Sequence, residues 1–357
     1  MPVYDQTYKH WEGTFKSHVF RWWVITKYGI KTAFKKKAVK VLSMLAVVPF
    51  IAFAVYIYGL TNLGKVAFFV SELGGHTPVA DIAAREYEVE VQGDAAAFVQ
   101  GLSDEGIPVS GQGWTYKIAL PDEGNSKLIL GIARKTGTEI ARIVPPGVKE
   151  TFYSQFLRVE SGLLFFILVL VVGSGLIAKD IKFNALQIYL AKPITGTDYV
   201  AGKLGALLFF LLMVTLVPGI ILFLFQAVLI GDSLYFRHYW WVPAAIFGYS
   251  LLVAFSASLI VLALSALSGN VRNAAAGGAA VFWFTPMIGR ILQQSTRNDN
   301  YMLVSLPDNW TSVGSAIFGR ERWFDVPWGW SLLILMTVML VSAATLVRRV
   351  RGVEVAK

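Results

Sequence analysis

Residues 204–230 read LGALLFFLLMVTLVPGIILFLFQAVLI, a run with no Asp, Glu, Lys, Arg or His. At 1.5 Å per residue such a helix exceeds the roughly 30 Å hydrocarbon core of a bilayer. A surface helix of a soluble domain keeps one polar face, and this run has none. Pro218 near its middle predicts a bend. Five more runs, 41–60, 161–178, 240–267, 274–289 and 327–347, are equally free of those five residue types. The fifth, 274–289, is short, and Pro286 and Gly289 directly before Arg290 predict that it breaks there. Pro243 predicts a bend in the fourth. The expected fold is therefore an α-helical polytopic membrane protein with six transmembrane helices.

Composition agrees. The chain is 55% apolar and 15% charged, whereas a soluble domain has about 45–50% and about 25%. Without cysteine there are no disulfides or thiolate metal sites. The four histidines lie outside the runs, and no two have metal-ligand spacing on a helix, so no metal site is expected. The charge of +9 reads as topology rather than nucleic-acid binding. Segments 1–40, 179–203, 268–273 and 348–357 are net +13, and 61–160, 231–239 and 290–326 are net −4. Cations collect on the cytoplasmic side, so both termini are expected there.

Between the runs lie four features. In the cytoplasmic tail 1–40, Phe15, Trp22, Trp23 and Phe34 alternate with Lys and Arg at helical spacing, predicting an amphipathic helix on membrane lipids at the interface. Segment 61–160 is the only soluble-like part. Alternation at 86–91 and 114–120, a short strand at 107–110, a strand at 138–144 and helices at 94–102 (capped by Asp94) and 126–135 predict a small α+β, βαββαβ-like extracytoplasmic domain between helices 1 and 2. It could select substrate, meet an extracytoplasmic accessory protein or brace a dimer. Segment 290–326 is expected to be an extracytoplasmic re-entrant segment or loop, before the cytoplasmic tail 348–357. Segment 179–203 predicts a short semi-apolar helix ended by Pro193, then a capping box at Thr195 and Asp198.

In that last loop the chain resembles permeases of the ABC-2 type exporter family. Asp180 matches the family's acidic position, Leu186 and Leu190 its apolar positions, Pro193 its proline and Gly202–Lys203 its Gly-Lys pair. Asn184 and Ala185 stand where Gly-Thr is usual, and Gly196 where a basic residue is common. The resemblance covers nearly all of the chain outside 71–150. It implies a prokaryotic plasma (inner) membrane, an ABC ATPase subunit in two copies carrying ATP and Mg, and a second permease copy, giving a homodimer. It also implies a coupling helix, over which Phe183, Leu186, Ile188 and Tyr189 would be apolar anchors and Asp180 and Lys182 a polar rim. The chain itself holds no P-loop: 196–203 has one residue too many between its glycines and Leu204 where Ser or Thr is needed. No cofactor and no catalytic residue are expected in it.

Ala274–Ala280, AAAGGAA, predicts a tight helix-packing face and a candidate dimer seam. The following Phe282, Trp283, Phe284 and Met287 line either an export path or the lipid. Two other classes compete. An ion-coupled secondary transporter or channel needs ionisable groups within its spans. A membrane-embedded transferase needs clustered carboxylates or histidines.

Overall fold

The computed structural model describes residues 20–72, 85–92, 95–120, 126–146, 150–190, 194–319 and 324–355. Phe15, Asp94 and Pro193 lie outside them, and the side chain of Ile188 is likewise outside the described part. The chain opens with α1 (Arg21–Phe34), α2 (Lys37–Leu45) and α3 (Val47–Glu72). The α+β domain follows as β1 (Arg85–Gln92), α4 (Ala96–Asp104), β2 (Val109–Gln112), β3 (Thr115–Leu120), α5 (Ser126–Thr136) and β4 (Glu139–Val144). Then come α6 (Glu150–Glu160), α7 (Leu163–Lys182), α8 (Ala185–Leu190), α9 (Gly196–Ile230), α10 (Ser233–Tyr239) and α11 (Val242–Ser268). Next, α12 (Val271–Ala279) runs through a π-turn at Ala280–Phe284 into α13 (Thr285–Thr296). A 3-10 segment at Asp299–Val304 leads to α14 (Leu306–Ile317) and α15 (Trp328–Val355).

Six helical segments are long and apolar enough to cross a membrane: Lys37–Gly59, Leu163–Lys182, Gly196–Ile230, Val242–Ser268, Val271–Thr296 and Trp328–Val350. The molecule is thus a multi-pass helical membrane protein. Several boundaries differ from the expectation. The first span is interrupted at Ala46, and its helix continues to Glu72, more than three turns beyond residue 60. The fifth does not break. Pro286 has no N–H to give the preceding turn, and the wider π-turn just before it absorbs the missing bond. Pro243 occupies the first turn of α11, where it starts a helix rather than bending one. Helices also run past the apolar stretches, so the spans take in Lys179, Asp180, Lys203 and Arg290.

In the α+β domain every pairing in the sheet is antiparallel, in the order β2-β3-β1-β4. Val89, Val91, Phe98, Leu102, Ile118, Ile129 and Ile132 form its core. The alternating residues of β1 and β3 supply one apolar face, and the helices cover it.

α7 and α9 run antiparallel: Gly173 meets Leu207, and the C-terminal Asp180 meets Lys203 near the start of α9. The bundle therefore has two ends. The α8 end gathers the close of α7 and the start of α9. The opposite end gathers the close of α9, α10 and the α+β domain.

α1 packs along α9 rather than lying across it. Thr26 donates to the Gly202 carbonyl at 3.0 Å, and Phe34 reaches Phe210 with ring centroids 4.8 Å apart, so the two helices advance together. Close approach depends on glycine. A Cβ on Gly202 would lie 2.5 Å from the Ile25 Cβ and 2.8 Å from the Trp22 carbonyl oxygen. Gly202→Val is expected to cost about 1–3 kcal/mol and to expose α1 to proteolysis. Unchanged protection of α1 would show that this contact does not hold it.

Candidate functional site

The loop joining α7 to α9 is built around one buried ion pair. Lys203 Nζ lies 2.6 Å from Asp180 Oδ2, with the two side chains only 8% and 17% exposed. The Tyr199 hydroxyl donates to the same oxygen at 2.7 Å. The ammonium also lies 5.5 Å from the Tyr189 ring centroid and 5.3 Å from that of Tyr199. A cation over aromatic faces in a dry site is favourable. The capping box expected at Thr195 is present: its hydroxyl accepts from the Asp198 N–H at 3.1 Å, and the Asp198 carboxylate accepts from the Thr195 N–H. It fixes where α9 begins, and hence which face of α9 carries Lys203 and Tyr199.

This geometry corrects several roles expected for the loop. Asp180 is no polar rim; it is the anion of the internal pair. Leu186 is 2% exposed and belongs to the bundle core, where α8 folds back on α7, so it cannot anchor an outside partner. Tyr189 faces Lys203 and Tyr199. Phe183 is outward, 70% exposed, at the turn that Asn184 makes with a left-handed φ of 54°. Lys182 is exposed beside it, 5.8 Å from its ring centroid.

One turn into the bundle, α7 is modified from outside. The Ser265 hydroxyl of α11 donates to the Ser174 carbonyl at 2.7 Å and accepts from the Ala178 N–H at 2.9 Å. Those two groups are the ones an uninterrupted α-helix joins to each other. A side chain inserted there makes a natural bending point. Lys203 stands out in the sequence only as half of the Gly-Lys pair, and nothing marks Ser265. A serine in an apolar run gives no sign of which helix it will face.

The expected path residues separate. Phe282 is buried, stacked on Phe166 at 4.8 Å and 16° and packed against Trp310 at 5.9 Å. It is core, not a lining. Trp283, Phe284 and Met287 are exposed. The small residues pack inside the chain: a Cβ on Gly278 would lie 2.4 Å from Leu170, and Ala274 is buried. The close approach joins α12 to α7, the tight packing face expected of these residues. On α1, Trp23 is half exposed, Trp22 leans on it with centroids 5.9 Å apart, and Phe34 packs on α9. The buried face is instead Ile25, Thr26 and Ala33.

At the opposite end, Asp232 ties the α+β domain to the bundle. Its Oδ2 accepts from the Tyr87 hydroxyl at 2.5 Å and the Ser126 N–H at 2.9 Å. Its Oδ1 accepts from the Ser126 hydroxyl at 3.1 Å and the Leu234 N–H at 2.9 Å. Burial opposes ionisation, but these four donors outweigh it and hold the carboxyl below its usual range.

No cluster of three or more His, Cys, Asp or Glu that could hold a metal occurs among the described residues. No family model matches the chain, and no curated protein does.

Proposed function

We propose that the chain is the transmembrane permease subunit of an ATP-binding-cassette exporter of the ABC-2 type, in a prokaryotic plasma membrane with both termini cytoplasmic. It works as a pair of permeases, in the simplest case a homodimer, with two separate ATPase subunits that bring ATP and Mg. It moves a hydrophobic or amphipathic substrate outward.

The observation that supports this reading is the build of the α8 end. An outward Phe183 with Lys182 beside it stands at the turn between two spans. Behind the turn, Asp180 and Lys203 lock α7 to α9. A push on the tip by a partner would move both spans as one, and the Ser265 insertion gives α7 a place to bend. The same end carries exposed Lys27 of α1, next to Thr26 at Gly202, and Arg348 and Arg349 of α15, as a cytoplasmic face does.

A second reading, ion-coupled transport, is favoured by Glu160. This carboxyl at the end of α6 is 2% exposed, one oxygen has no partner, and burial pushes its pKa up to about 8.

Affinity purification of the tagged protein from its native membrane in mild detergent separates the two. A stoichiometric P-loop subunit with vanadate-sensitive ATP hydrolysis, lost with Phe183→Asp while the protein stays folded, is the result expected. A protein isolated without an ATPase, whose substrate flux follows an imposed proton gradient, would overturn the exporter reading in favour of the second.

A further inference from the structure

Lys36, at the elbow between α1 and α2, turns inward. Its Nζ donates to the Val171 carbonyl of α7 at 3.1 Å. Among the described residues that leaves two of its three N–H donors uncommitted. One turn further along the same face of α7 is Gly175. A Cβ there would lie 3.4 Å from the Lys179 Cε and 3.8 Å from the Val271 Cγ1. The Lys179 stem thus lies back along the helix, over the glycine, toward Val171. Two ammonium groups converge on one patch of α7. Burial, and after it the like charge of Lys179, hold Lys36 below the ordinary lysine range.

The surrounding helices supply no counter-charge. Residues 20–71 contain no Asp or Glu, and α11 and α12 hold none. The single acid of α7 is Asp180, which is committed to Lys203 and Tyr199. Among the described residues neither Lys36 nor Lys179 has a carboxylate partner. Cations drawn together and partly withdrawn from water call for an anion from outside the chain. Position selects it. The first span begins at Lys37 and the fifth at Val271, so two helices enter the lipid at this point, while the last turns of α7 continue toward the α8 end. The anions at headgroup depth are lipid phosphates. Just beyond, α2 exposes Val41, Met44 and Leu45, apolar surface for an acyl chain.

From this we infer that the junction of α2 and α7 is a binding site for the phosphate of an anionic phospholipid, held between Lys36 and Lys179. The phosphate oxygens take the remaining donors of Lys36 and those of Lys179, and the acyl chains follow the exposed face of α2. The site does not rest on the export reading. An outcome against the ATPase leaves it standing, and its own failure leaves the export reading standing.

The test uses the full chain in detergent, with native mass spectrometry of bound phosphatidylglycerol, phosphatidylcholine and diacylglycerol. Phosphatidylcholine keeps the phosphate but carries its own cation, and diacylglycerol has no phosphate. The protein is expected to bind phosphatidylglycerol about tenfold more tightly than phosphatidylcholine, and diacylglycerol most weakly. Lys179→Gln, at an exposed side chain, weakens phosphatidylglycerol about fivefold. Lys36→Gln keeps an N–H for the Val171 carbonyl and weakens it by a similar factor. The double variant loses about thirtyfold and no longer separates the two phospholipids. Arg348→Gln with Arg349→Gln removes the same charge from α15 and leaves the preference in place. Displacement of the lipid by millimolar inorganic phosphate extends the site to the free anion; lipid binding undisturbed by phosphate assigns it to the lipid alone. Three results overturn the proposal: equal binding of the two phospholipids by the unmodified protein, affinity unaltered in folded Lys179→Gln, or an equal loss in the α15 double variant, which marks diffuse attraction to net charge.

Discussion

Asp180→Ala, with Lys203 left in place, is expected to destabilise the protein by about 3 kcal/mol. The carboxylate and the Tyr189 and Tyr199 rings are what offset the burial of the Lys203 ammonium. Aromatic faces contribute about 2 kcal/mol to a desolvated cation and cannot replace the ion pair. The Tyr199 hydroxyl loses its acceptor in the same step. Lys203→Met is expected to cost less, because Asp180 keeps the Tyr199 hydroxyl and the methionine fills the volume of the lysine stem. The double variant should then lie close to Lys203→Met alone. Unfolding of the four proteins in mixed SDS micelles measures the coupling. Strict additivity of the two single changes would mean that the pair does not hold the α7–α9 loop. Under the export reading, Asp180→Ala should also uncouple ATP hydrolysis from transport while leaving partner binding at Phe183.

Asp232→Ala should loosen the α+β domain from the bundle at a cost of about 3 kcal/mol. It leaves the N–H groups of Ser126 and Leu234 and the Tyr87 hydroxyl without their acceptor. Asp232→Asn should be nearly as damaging, for a geometric reason. Each carboxylate oxygen accepts from a backbone N–H, one from Ser126 and one from Leu234, so either orientation of an amide turns its NH2 toward a donor. The domain's own core, around Val89, Phe98 and Ile118, is untouched. Hydrogen exchange should therefore rise at the start of α5 and in α10, and stay low in the sheet.

The same residue sets a pH dependence. Its folded-state pKa lies below the ordinary carboxylate value, so its contribution is fully present above about pH 4 and fades as pH falls through the folded value. Acid should release the domain in the unmodified protein and add little to the alanine variant. Equal acid sensitivity in both would place the acid-labile contact elsewhere.

Local chemistry was legible where a few neighbouring residues decide it. The βαββαβ order came from alternation of the kind seen in Glu86–Val91, and the start of α9 from Thr195 and Asp198. A proline in the sequence marks a special point of a helix without saying what happens there. Pro243 was expected to bend a helix and Pro286 to break one, yet the first opens α11 and the second is accommodated by a π-turn, because position within a turn decides whether the missing N–H matters. The loop's roles were misassigned for a different reason. Asp180, Leu186 and Tyr189 look alike whether they face a partner or their own bundle, and only the antiparallel packing of α7 and α9 brings Lys203 to Asp180.

The sequence by itself determined the solvent. Six long runs without charge leave the backbone no choice but to satisfy its hydrogen bonds within helices, since lipid offers none. It also determined the separate α+β unit, because period-two alternation depends on neighbours in the chain. The tertiary structure alone decided which polar groups meet: Lys203 with Asp180, Ser265 with the α7 backbone, and Asp232 with Tyr87 and Ser126. Those encounters depend on how helices are rotated and staggered against one another. In apolar runs that is set by close packing at positions such as Gly202 and Gly278, a property of pairs of surfaces that no single stretch of sequence carries.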